Sequence, residues 1–105
     1  MHADKTLSII EARNTLNQVN LKIPAFPVGH ISREILEQTA FELESLIWQL
    51  VHKDLDQITL DLNIHQQRLQ ELNEKLKART TSLEQITKMI HNVSQLIGSL
   101  TGLAG

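Results

Sequence analysis

Residues 51–100 read VHKDLDQITLDLNIHQQRLQELNEKLKARTTSLEQITKMIHNVSQLIGSL, and one set of positions in this stretch recurs at alternating steps of four and three. The set is Val51, Leu55, Ile58, Leu62, His65, Leu69, Leu72, Leu76, Arg79, Leu83, Ile86, Ile90, Val93, Ile97 and Leu100, aliphatic everywhere except at His65 and Arg79. An α-helix closes a turn in about 3.6 residues, so this spacing draws a single apolar line along a helix, the pattern of a coiled-coil seam. Run as one rod, the stretch would extend roughly 75 Å.

Upstream the same pattern continues through Leu36, Ala40, Leu43 and Ile47 with a local stutter in the step. Ser32 offers an N-cap, Glu34 and Glu37 lie in the positive first turns, and neither glycine nor proline occurs again before Gly98. The expectation is a long helix over 32–79. Before it, Ile23-Pro24-Ala25-Phe26-Pro27-Val28-Gly29-His30 breaks the periodicity, which places a linker at 23–31. Its Pro24-x-x-Pro27 match could serve a polyproline ligand, but Ile23, Ala25, Phe26 and Val28 favour a loop packed over the end of a bundle. A first helix is expected over 4–22, with Ile9, Ala12, Leu16 and Val19 on one face running on to Ile23. Asp4 or Thr6 would cap it, and Ser8 with Glu11 fits a capping box.

Downstream the pattern is ambiguous. Thr80, Thr81 and Ser82 compete with helix, and Thr81 followed by Glu84 matches a capping box. The chain either turns at 79–82 into a last helix over 82–101 or continues as one rod. The expected fold is all-α: a single helical domain of long coiled-coil-like helices in an antiparallel bundle, and a dimer.

Orientation is read from the charges beside the seam. A parallel pair would set Asp54, Asp61, Arg68 and Lys75 against Thr59, Gln66, Asn73 and Thr80, which makes no ion pair. An antiparallel pair sets Asp61 against Arg68 and Asp54 against Lys75 of the other helix, about an axis near Ile64 and His65. Exposed pairs of this kind are worth about 0–1 kcal/mol each, so they choose an orientation more than they stabilise it. The alternative within one chain folds the last helix back on residues 60–79, with the first helix lying along residues 33–50.

Composition narrows the function classes. Apolar residues make up 41% and charged residues 21%, too apolar for a disordered tail, while aromatics are only 3% (Phe26, Phe41 and Trp48), few for an enzyme. A net charge of -2 gives no field for nucleic acid or anionic lipid, and no run is apolar enough to span a membrane. Cysteine is absent, and His2, His30, His52, His65 and His91 show neither His-x-x-x-His nor Glu-x-x-His spacing, so no metal or other cofactor is expected. The expected location is cytoplasmic, with no small-molecule ligand.

The seam residues Leu55, Ile58, Leu62, His65, Leu69, Leu72, Leu76, Leu83, Ile86 and Ile90 are therefore the candidate functional surface, with Asp54, Asp61, Arg68 and Lys75 as orientation charges. His65 would form a polar layer in it, as a histidine tolerated at a partly hydrated level more than as one that fixes register or makes assembly pH-sensitive, and Arg79 would snorkel or mark a helix end. The predicted function is non-enzymatic association, with a second copy or with another helical protein. One stretch points elsewhere: His52-Lys53-Asp54-Leu55-Asp56-Gln57 resembles the phosphoacceptor helix of sensor histidine kinases, although Lys53 stands where that family has an acidic residue. The resemblance implies a dimeric hairpin and phosphotransfer at His52.

Overall fold

The computed structural model describes residues 5–79 and 81–104. The expected helix start at Asp4, His2, and Thr80 of the expected turn lie outside them. The described residues form four helices, α1 (Lys5–Lys22), α2 (Ile31–His52), α3 (Leu55–Arg79) and α4 (Glu84–Ala104), with a 3-10 turn at Ile23–Ala25 between the first two. α1 and α3 each pack on both α2 and α4, while the diagonal pairs α1–α3 and α2–α4 do not meet. Two contacts set the sense of the last pair. Gln66 bonds to Ser94 and Asn73 to Thr87, so advancing along α3 retreats along α4. The result is an antiparallel four-helix ring measuring 40 × 21 × 20 Å.

The chief departure from expectation is the long helix. Over 32–79 the chain turns at Lys53 and Asp54 and doubles back, so the element splits into α2 and α3. Lys53 leaves the helix in an extended conformation (φ -129, ψ 154) with its N–H still bonded to the Gln49 carbonyl. The Asp54 N–H then donates to Gln57 Oε1 at 3.1 Å, half of a capping box that starts α3. The Lys5 ammonium donates to the Lys53 carbonyl, tying the start of α1 to this corner. Local propensity favours helix throughout, but a rod exposes its whole apolar line, whereas a hairpin buries α2 against α3. Burial wins because each large aliphatic side chain removed from water contributes about 1.5–3 kcal/mol.

At the other turn the chain does break. The Glu84 N–H bonds to the Thr81 carbonyl, and the Thr87 N–H to that of Leu83, as α4 begins. α3 and α4 thus form the hairpin that the in-chain alternative foresaw, and Arg79 is the exposed last residue of α3. In the linker, the His30 N–H bonds to the Pro27 carbonyl at 3.0 Å around Gly29 at φ +91, the arrangement of a type II turn. His30 rather than Ser32 caps α2: its Nδ1 accepts from the Ser32 N–H at 3.0 Å, while Ser32 itself is buried.

The seam fills the bundle. Ile58, Leu62, Leu69, Leu76, Leu83, Ile86, Ile90, Val93, Ile97 and Leu100 are buried in one core together with Leu36, Leu43, Leu46 and Leu50 of α2. Val51, which opens the series, is exposed beside the turn, and Leu55 is partly buried. α1 presents a different line from the expected one. Ala12 and Val19 are buried as foreseen, but Ser8 and Thr15 complete the stripe while Ile9, Leu16 and Ile23 pack at its margins. The Thr15 hydroxyl meets its need for a partner by donating to the Glu11 carbonyl at 2.8 Å.

Candidate functional site

Three polar contacts interrupt the apolar core, and each joins two helices. At the first, His65 Nδ1 lies 2.7 Å from Glu42 Oε2, with both residues buried (6% and 7% exposed). A carboxylate only accepts, so Nδ1 carries the proton and donates. The Arg68 guanidinium, one turn along α3, lies 3.7 Å from the other Glu42 oxygen and reaches out to solvent. At the second, Gln66 Nε2 donates to the Ser94 carbonyl at 2.9 Å, and at the third, Asn73 Nδ2 donates to the Thr87 carbonyl at 3.0 Å. Such contacts penalise any slip of one helix along the next, because a shifted register leaves buried polar groups without partners.

His65, expected in a polar layer of a seam between copies, is buried within one chain as the partner of Glu42. Glu42 is the residue sequence reasoning missed. On a continuous rod, Glu42 and His65 sit 23 positions apart and never meet; only the turn at 53–54 brings them level. The signal that would have located the turn is Asp54-x-x-Gln57, a capping-box spacing of the kind noted at Ser8 and at Thr81 but not here. Asn73 was assigned to a flanking position, and its burial (4%) follows from α4 covering that flank.

Above the Glu42–His65 pair, α2 and α3 enclose an open groove of about 530 Å³ lined by Glu37, Phe41, Arg68, Leu72 and Lys75 among others. Acidic α2 here faces Arg68 and Lys75 inside one chain, whereas the expected pairs Asp61–Arg68 and Asp54–Lys75 would join two chains. Of the four orientation charges, Arg68 meets Glu42 in place of Asp61, Lys75 lines the groove, and Asp54 lies exposed in the turn. The seam residues Leu55 to Ile90 are spent on the core of the same chain.

Among the described residues no three His, Cys, Asp or Glu side chains gather as a metal site, and no helix is long and apolar enough to cross a membrane. His52 ends α2, exposed, with its ring 4.8 Å from that of Trp48 and the Lys53 ammonium 5.8 Å from the Trp48 ring centre. Asp56, expected one turn on in the same helix, belongs to α3 beyond the turn. His30 is the cap of α2, and His91 lines a shallow groove with Lys77 and Lys88. Compared with known proteins, the chain matches no family model, no characterised relative and no solved structure.

Proposed function

We propose that this chain is a non-enzymatic association module that docks on another helical protein or on copies of itself. What supports the reading is a set of large apolar side chains left exposed on α2 and α3. Phe41 is 70% exposed, Trp48 54%, Leu60 79% and Ile64 44%. The Glu42–His65 contact sets the level of α3 against α2: Ile64 lies level with Leu43 and Leu60 with Ile47, both between Phe41 and Trp48 along the bundle. Large exposed apolar side chains at nearby levels on two adjacent helices are of the kind found at interfaces, with two aromatic residues suited to anchor a partner.

The test is copurification from the native source followed by mass determination, comparing the unaltered chain with Phe41→Ser/Leu60→Ser. The substitutions are on exposed positions, so helicity and melting temperature should hold while the associated mass is lost. An unaltered chain that elutes alone would overturn the proposal, as would a complex indifferent to both substitutions.

A further inference from the structure

We infer that the chain forms an exchanged dimer, in which the turn at Lys53–Asp54 straightens and the α1–α2 half of each copy covers the α3–α4 half of the other. This rests on the association reading and names its partner as a second copy. It also gives the heptad seam the intermolecular role that its spacing suggests.

Three observations converge on the turn. The connection is two residues long, and neither is glycine or proline, nor is any residue from 32 to 97. Apolar residues at helical spacing run on through it, from Ile47 to Val51, Leu55 and Ile58, with a stutter in the step. The sequence thus encodes helix where the chain turns, and short connections of this sort favour exchange between copies.

What holds the turn closed is limited and lies at the surface. Residues 51–54 are all exposed. The closing contacts are the Asp54 N–H on Gln57 Oε1, the Lys5 ammonium on the Lys53 carbonyl, and the Lys53 ammonium over Trp48. Straightening forfeits some of these and returns Lys53 and Asp54 to the helical hydrogen-bond ladder, where each residue added to an existing helix gains one bond.

The contacts between α2 and α3 are centred on the turn. Glu42 precedes Lys53 by eleven residues and His65 follows Asp54 by eleven. In a dimer whose two-fold axis passes through the straightened turn, Glu42 of one copy meets His65 of the other at the same level. The Arg68–Glu42 contact and the groove in which acidic α2 meets Arg68 and Lys75 can re-form between the copies at the same levels. The two copies share a continuous helix over about 32–79, some 70 Å long.

The experiment uses the full chain and two changes in the turn. Asp54→Ala with Gln57→Ala removes the cap from each of two turns per dimer and should tighten dimerisation by about thirtyfold in sedimentation equilibrium. Three glycines inserted between Lys53 and Asp54 should give a monomer of unchanged helicity. The absence of native cysteine allows a direct check: chains carrying Ser45→Cys and chains carrying Asp61→Cys are mixed and treated with a short thiol cross-linker. Ser45 and Asp61 lie nearly level on α2 and α3, so a heterodimeric product is expected in the capless background and none after the insertion.

A capless chain that stays monomeric at several hundred micromolar would overturn the inference, and so would a dimer that survives the glycine insertion or gives no cross-link. Neither result touches the exposed apolar side chains of α2 and α3. A complex that is lost with Phe41→Ser/Leu60→Ser but indifferent to the turn would refute exchange while leaving the association reading intact.

Discussion

The Glu42–His65 pair can be tested quantitatively. Their side chains are 9% and 8% exposed and meet at 2.7 Å, so each has given up its water for the other. Arg68 stands 3.7 Å from Glu42 with its side chain 62% exposed, too distant for a good hydrogen bond and too wet to replace His65. Replacing either partner alone by Leu leaves the other buried without its hydrogen bond, a loss of about 3 kcal/mol. In a domain of this length that lowers the melting temperature by about 15 °C. Replacing both by Leu removes the unpaired groups together, and the double variant should return to the original stability or exceed it by about 1 kcal/mol or more. The assay is urea unfolding followed by far-UV circular dichroism on the four members of the cycle, with equal slopes required before free energies are compared. If the double variant loses the sum of the two single losses to within about 0.5 kcal/mol, the residues do not act as a pair and the reasoning fails.

Three further outcomes follow from the same core. Leu69→Asp sets a carboxylate at a position of 0% exposure and should unfold the monomer outright, costing more than about 4 kcal/mol; a variant with native helicity would show that the seam is not the internal core. Asn73→Leu removes a buried amide whose Oδ1 has no hydrogen-bond partner, so it should leave stability unchanged or raise it by about 1 kcal/mol, and a melting temperature lowered by 10 °C or so would contradict this. At Gly29, φ is +91 and nothing lies within 4 Å of an added methyl group, so Gly29→Ala should cost only the backbone strain of about 1–2 kcal/mol, read as a modest fall in a thermal melt; no fall would refute the turn assignment.

The three polar contacts divide the work of specifying the fold. A bundle of Leu and Ile packs nearly as well after a slip of one heptad, since each aliphatic side chain would find another like it. Glu42 with His65 removes that freedom between α2 and α3, and Gln66 with Ser94 and Asn73 with Thr87 remove it between α3 and α4. Gly98 belongs to the second of these contacts. A Cβ there would lie 2.6 Å from Gln66 Nε2, so the glycine lets the amide reach across to α4.

From residue order alone came the helical class, the linker around Pro24 and Pro27, and the aliphatic line from Leu55 to Leu100. All of these are set by neighbours within two turns and hence are legible one-dimensionally. The break at Lys53–Asp54 was not. Its one local mark is the capping-box spacing Asp54-x-x-Gln57, every residue there is also compatible with continued helix, and what decides for the turn is that folding back lets α2 and α3 bury each other. The pairing of Glu42 with His65 is a consequence of that fold-back, the burial of Asn73 follows from α4 covering that flank of α3, and the core face of α1, with Ser8 and Thr15 in place of Ile9 and Leu16, is set by its packing on α2 and α4. Tertiary structure also decided that the seam is covered by its own chain, which leaves Phe41, Trp48, Leu60 and Ile64, unremarked in the heptad pattern, among the large apolar side chains turned to solvent.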